Sequence, residues 1–222
     1  MEFTLLGAAA LAYAAMTITA KRLQPEDEPK LADLILGATM LGLVVGRVWY
    51  MIGTGTNPLT NLGDFILIRA GVSTIGAAVG FLLVLMWGFR SDSPRAMALV
   101  GVPTLVGLAG WELGCLVRGT CLGTEATFGL ISVAGVTRHP IGVYTGLLFL
   151  LAGFIVWRAQ RGAYPPWTGP FAFGMAALTR AVTEPLRLHY GDGLLWWYVG
   201  AALIGLLVTW TIRGQQLTSK ES

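Results

Sequence analysis

The sequence predicts an all-α polytopic membrane protein of about seven transmembrane helices, with the N-terminus outside and the C-terminus cytoplasmic. Three observations carry that expectation. Of the 222 residues, 55% are hydrophobic and only 12% charged, and the mean hydropathy is +0.66. Apolar runs near the length a helix needs to cross a bilayer, roughly 20 residues, recur along the chain. The basic residues also sort by side once those runs are threaded in alternation. Other classes are excluded. Disorder requires low hydrophobicity and high charge. Two cysteines cannot make a disulfide scaffold. The net charge of +3 is spread without a basic cluster, so there is no nucleic-acid footprint. Residues 1–222 read as a single transmembrane domain with two longer outer-side segments, 53–70 and 118–140.

The first span, about Phe3 to Ala20, begins without a basic region and is followed by Lys21 and Arg22. That order marks a span rather than a cleaved leader, and it puts the first loop in the cytoplasm. The polar hinge Gln24–Pro29 leads to the second span, about Leu31 to Ile52. The third runs from about Gly71 to Phe89. Ser91-Asp92-Ser93-Pro94 ends it and starts the fourth, about Ala96 to Val117, with Pro94 near a helix start. The fifth, about Ile141 to Val156, is short and extends into its flanks. Tyr164-Pro165-Pro166 precedes the sixth, about Pro166 to Leu186, and the seventh is about Leu194 to Ile212. The two longer connectors contain apolar stretches, 65–68 and 128–136, which suggest interfacial or re-entrant segments. Trp49, Trp87, Trp157, Trp167, Trp196, Trp197 and Trp210 fall at span ends, as an aromatic belt does. The pairs Gly42/Gly46, Gly76/Gly80, Gly110/Gly114 and Gly142/Gly146 read as close helix packing.

Charge is the informative feature. The cytoplasmic side receives every lysine together with Arg22, Arg90, Arg95, Arg158, Arg161 and Arg213. The other side receives only arginine: Arg47, Arg69, Arg118, Arg138, Arg180 and Arg187. Arg47 and Arg180 lie inside apolar sequence, where a charge is expensive and usually functional. Arg180, Glu184 and Arg187 are spaced i, i+4, i+7 on one helix face, and Glu112 lies near the same leaflet. Guanidinium binds phosphate in a bidentate geometry that lysine does not match. One reading is therefore a phospholipid-headgroup site open to the outer leaflet. The other is that these arginines neutralise Glu112 and Glu184 or snorkel to nearby headgroups. His139, between Arg138 and Pro140, is of a type that exchanges a proton near neutral pH. It is equally read as a helix-start residue bonded to a loop. His189 reads as structural. Cys115 and Cys121 are read either as a bridge on the oxidising side or as small buried side chains. Two histidines and two cysteines without ligand spacing predict no metal site.

On these residues the chain resembles the prolipoprotein diacylglyceryl transferases of bacterial inner membranes, in order from Gly46 to Arg187. Gly46-Arg47-Val48-Trp49-Tyr50 is similar to the family's arginine-bearing end of the second span. The segment 70–76 stands where the family has a glycine-rich stretch with a histidine, which here is Ile75. Glu112 to Gly123 occupies the family's main motif. Arg138-His139-Pro140 with Tyr144 resembles Arg-His-Pro-x-x-x-Tyr, and Arg180-x-x-x-Glu184-x-x-Arg187 matches the closing motif. The main motif usually opens with arginine, but this chain has Glu112. The motif's asparagine is Cys115 here and its acidic residue is Thr120.

The resemblance implies a cofactor-free transfer of a diacylglyceryl group from phosphatidylglycerol to the thiol of a lipobox cysteine. The acceptor is a prolipoprotein held by its signal peptide, and glycerol phosphate leaves. It further implies a multi-pass protein of the bacterial plasma membrane. Arg180, His139, Glu112 and Glu184 are its catalytic candidates, and Arg47, Arg118, Arg138, Tyr144 and Arg187 its substrate-binding ones. The base is Glu112, His139 or Glu184. The substituted motif also admits a catalytically altered relative that binds phospholipid headgroups or uses a different lipid or acceptor. A small transporter ranks last, because the polar residues gather toward one leaflet and no repeat is visible.

Overall fold

The computed structural model describes residues 2–23, 31–63, 72–88, 93–114, 122–127, 131–133, 135–161, 163–188 and 194–218. It is all-helical apart from one short hairpin. Among the described residues the helices are α1 (Glu2–Leu23), α2 (Leu31–Gly53), α3 (Thr74–Gly88), α4 (Ser93–Leu113), α5 (Ile141–Gln160), α6 (Thr168–Thr183) and α7 (Leu195–Thr218). Each falls on one of the apolar runs. Three contain segments long and apolar enough to cross a membrane: Asp33–Gly53, Ile141–Gln160 and Leu195–Gln216. The fifth run does extend, to Gln160. The Gln24–Pro29 hinge, both cysteines, Arg118, His189 and the stretch 65–68 lie outside the described residues.

The chain forms two compact units, Gln24–Ala96 and Met1–Leu23 with Met97–Ser222. In the first, α2 and α3 form an antiparallel pair. A Cβ on Gly76 would lie 3.0 Å from the Gly46 Cα, and one on Gly80 would lie 3.0 Å from the Gly42 Cα. Glycine thus meets glycine at both levels, as small-residue stripes allow when two backbones approach closely. The Ser73 hydroxyl accepts the Gly76 N–H at 3.3 Å, so Ser73 caps the start of α3.

In the second unit α4, α5 and α6 share a core of Val102, Leu105, Ala109, Phe149, Ala152, Val156 and Ala172. Close approaches fix the helix directions. Gly107, Gly110 and Gly114 of α4 meet Met16, Ala12 and Ala8 of α1, so those two run antiparallel. Gly146 and Gly153 of α5 meet Leu113 and Leu105, so α5 is antiparallel to α4. Gly101 meets Ala172 and Gly169 meets Met97, so α6 runs parallel to α4. Gly205 of α7 abuts Gly174 of α6. The outward faces of α5 and α7 expose Leu147, Leu151, Phe154, Leu203, Ile204 and Leu207, as lipid-facing surfaces do.

These directions give the unit two chemically different ends, about 30 Å apart for a helix of the length of α5. One end carries Lys21 and Arg22 of α1, Arg158 and Arg161 beside the end of α5, and Arg213 of α7. It is tied together by polar contacts. Gln160 Nε2 donates to the Ala98 carbonyl at 2.6 Å, Arg213 stacks 5.3 Å from the Trp167 ring, and the Tyr164 phenol donates to the Leu23 carbonyl at the end of α1. Burial raises the Tyr164 pKa above its usual 10.0, so the phenol stays a donor through neutral pH. A raised folded value means that its contribution is complete below about pH 10 and is lost as pH climbs through that value. The Y164F protein will therefore unfold about 1 kcal/mol more easily at pH 7. In thermal or denaturant unfolding, that gap from the native protein will close at strongly alkaline pH.

Two details differ from the expectation. The apolar stretch in the long connector 118–140 is partly a hairpin, β1 (Ile131–Val133) with β2 (Val136–Arg138), paired antiparallel with Ile131 opposite Arg138. Gly135 turns it with φ +79, a conformation that glycine adopts without strain. The sixth helix stops at Thr183 and becomes a single 3-10 turn over Glu184–Leu186, because Pro185 has no N–H to continue the ladder. Arg187 is consequently extended, with φ −82 and ψ 146, and does not share a helix face with Arg180.

Candidate functional site

The second end of that unit is where α4 and α6 finish and α5 begins. Glu112, in the last turn of α4, is only 4% exposed at its side chain and lies at the centre of a charge cluster. Arg180 Nη1 is ion-paired with its Oε1 at 2.6 Å. Arg187 Nη2 donates to its Oε2 at 3.1 Å. One carboxylate therefore bridges two guanidinium groups, one oxygen to each. Glu184 lies 3.9 Å from Arg187 Nε, and its other oxygen accepts the Leu194 N–H at 3.1 Å, beside the start of α7. Two arginines and two glutamates sum to no net charge. An unpaired charge at this depth is expensive, and mutual pairing is what lets all four groups stay there.

Two neutral side chains complete the seat. Thr145 of α5 is fully buried. Its hydroxyl donates to the Ile141 carbonyl at 2.8 Å and accepts from Arg187 Nη2 at 3.3 Å. Arg180 stacks 5.3 Å from the Phe149 ring, a favourable contact for a guanidinium. Neither residue stands out in sequence, since a threonine and a phenylalanine within an apolar helix read as packing. The Arg180 side chain is 21% exposed and that of Arg187 is 23%, while Arg187 Nε is itself buried. Each guanidinium has five N–H donors, more than the ion pairs to Glu112 use.

His139 and Arg187 are held on opposite sides of the segment 122–126. The Gly123 N–H bonds to the His139 carbonyl at 2.7 Å, and the His139 N–H bonds to the Thr124 carbonyl at 3.1 Å. On the other side the Thr124 N–H bonds to the Leu186 carbonyl at 2.9 Å, and Gly123 pairs with Arg187. Gly123 has to be glycine, because a Cβ there would collide with the Leu186 carbonyl and lie 3.2 Å from the His139 Cβ. His139 Nδ1 is buried without a hydrogen-bond partner among the described residues, and its ring packs edge-on against Tyr144 at 6.0 Å. Arg138 is more peripheral, 3.8 Å from the exposed Glu125 and 3.5 Å from the Gly123 carbonyl. G123A will push Leu186 and Arg187 away from this segment. It should lower stability by about 1–3 kcal/mol and reduce any activity of the site about tenfold or more, with helical content by circular dichroism unchanged.

Of the residues singled out in sequence, Arg180, Arg187, Glu112 and Glu184 meet in one cluster. His139, Arg138 and Tyr144 lie on the segments next to it. Arg47 belongs to the other unit, where it is buried and lies 5.7 Å from the Tyr50 ring. Ile75 is exposed on α3. Among the described residues no group of three or more His, Cys, Asp or Glu side chains forms a metal-binding set.

The profile of the family described as prolipoprotein diacylglyceryl transferase matches residues 3–220. The chain is also similar to the phosphatidylglycerol–prolipoprotein diacylglyceryl transferase of Wolinella succinogenes, with 32% identity over 170 residues. That alignment covers 73% of this chain and 57% of the relative, so the chain spans little more than half the length of that protein.

Proposed function

Because the chain belongs to the prolipoprotein diacylglyceryl transferase family, we propose that it moves a diacylglyceryl group from phosphatidylglycerol to the cysteine thiol of a prolipoprotein. The observation that carries this reading is the pair of partly buried arginines, Arg180 and Arg187, brought together on one carboxylate at one end of the unit. They suit a lipid phosphate, whose oxygens take charge-assisted bonds from arginine. The phosphate sits against them while the acceptor thiol lies toward His139. The thiol proton passes to His139 Nδ1, the group among the three candidate bases whose acceptor atom has no partner among the described residues. The thiolate sulfur attacks the glycerol carbon bearing the phosphate. An S–C bond forms, the C–O bond breaks, and its electron pair leaves on glycerol phosphate. Arg180 and Arg187 stabilise the charge that develops there. No cofactor enters the reaction.

The same reading has the apolar helices crossing a bacterial plasma membrane as about seven spans, N-terminus outside and C-terminus inside. The basic end, with Lys21, Arg22, Arg158, Arg161 and Arg213, faces the cytoplasm. The arginine–glutamate end then faces the outer leaflet, where a precursor's signal peptide presents its lipobox cysteine. Arg47, Arg118, Arg138 and Tyr144 are assigned to substrate contact.

A second reading, a relative that binds headgroups without turnover, is favoured by one observation. Glu112 stands where the family usually has arginine, and both of its oxygens are taken. Reconstitution separates the two. In vesicles containing phosphatidylglycerol, with a lipobox peptide as acceptor, mass spectrometry should find the thioether-linked diacylglyceryl peptide, and vesicles lacking that lipid should give none. No product beside an active family member run in parallel overturns the transferase reading.

A further inference from the structure

We propose that Glu112 is a built-in stand-in for the substrate's phosphate: an internal anion that occupies the headgroup seat and must be displaced for lipid to bind. The inference rests on the phosphate-binding reading above. Its grounds are geometric. Glu112 presents one oxygen to Arg180 at 2.6 Å and the other to Arg187 at 3.1 Å. Two oxygens of a phosphate group would address the same two forks in the same way. The competitor is tethered at the end of α4 and always at hand. With it in place an arriving anion meets a cluster of zero formal charge, and with it displaced it meets two guanidinium groups balanced by Glu184 alone. The Arg180 and Arg187 side chains are 21% and 23% exposed, so the exchange begins from their accessible part.

This makes Glu112 a residue that sets headgroup affinity and clears product, and it needs no role in proton transfer. Glycerol phosphate carries more charge than the phosphodiester it came from, so bare guanidinium groups would hold it. A carboxylate returning to both of them expels it. Removing the charge should therefore tighten both ends of the cycle, lowering KM for phosphatidylglycerol and lowering kcat through slow product release. A purely structural role for Glu112 predicts the opposite for KM.

The test compares the native protein with E112Q and E112M in nanodiscs. The probes are phosphatidylglycerol, diacylglycerol (which lacks phosphate), soluble glycerol phosphate and inorganic phosphate. Both variants should bind phosphatidylglycerol about tenfold more tightly, the step expected on removing one close opposing charge. Glycerol phosphate should inhibit them about tenfold more strongly, and diacylglycerol binding should not change. Folded variants, verified by thermal unfolding, that bind phosphatidylglycerol no better than the native protein overturn the inference. If the native protein still transfers lipid, the transferase reading stands without it. A gain for inorganic phosphate with none for phosphatidylglycerol keeps the anion seat and overturns its assignment to a lipid headgroup. If neither native nor variant protein retains phosphatidylglycerol, both readings fail together.

Discussion

Replacing Arg180 by alanine is expected to lower lipid transfer by about 10²–10³-fold, the range seen when one donor to a developing oxyanion is removed. Arg180 occupies the last turn of α6, makes the shortest ion pair of the cluster at 2.6 Å, and lies over the Phe149 ring. Its loss takes away half of the arginine pair proposed to bind phosphate. It also leaves the buried Glu112 with the Arg187 ion pair alone among the described residues, so the fold should weaken by about 3 kcal/mol. R180K separates the two effects. Lysine keeps a positive charge beside Glu112 and should restore most of the thermal stability. It offers no planar fork to phosphate and should leave transfer at least about tenfold impaired. Equal recovery of stability and transfer in R180K would show that the position needs only charge.

His139 carries the second large effect. H139Q should reduce transfer by about 10²–10⁴-fold, the span attributed to a positioned general base, while phosphatidylglycerol binding changes little. The expectation follows from a ring nitrogen that is buried yet has no hydrogen-bond partner among the described residues, on a residue held by backbone bonds to Gly123 and Thr124. Glutamine has comparable reach and hydrogen-bonds, but it does not take up a proton. Transfer by H139Q at native rates would return the role of base to Glu184 or Glu112.

Much of the helical layout was legible because each crossing is a run of apolar residues between turn signals. Ser93-Pro94 begins α4 and Tyr164-Pro165-Pro166 precedes α6 as expected. Part of the charge sorting was legible too: the helix directions set Lys21, Arg22, Arg158, Arg161 and Arg213 at the opposite end of one unit from Arg180 and Arg187. What sequence left open was the partner of each charge. Pairing with Glu112 and Glu184 and binding of phosphate both explain arginines without lysine in apolar sequence. The structure has the pairing, with the guanidinium groups still partly exposed. Arg187 was read onto a helix face because spacing alone does not reveal that Pro185 ends the helix and turns the next residues into an extended pairing with Gly123. Thr145 and Phe149 went unnoticed because their role depends on which helix lies opposite them. The hairpin at 131–138 escaped for a related reason: a short valine-containing run between two helices carries no periodicity long enough to declare a strand.

The account depends on anionic lipid reaching Arg180 and Arg187. The most direct measurement is a structure determined in nanodiscs of phosphatidylglycerol. The account predicts a lipid phosphate within hydrogen-bond distance of both guanidinium groups, with the Glu112 carboxylate drawn off at least one of them. Lipid phosphates confined to the bilayer surface, with both arginines still closed on Glu112, would contradict it.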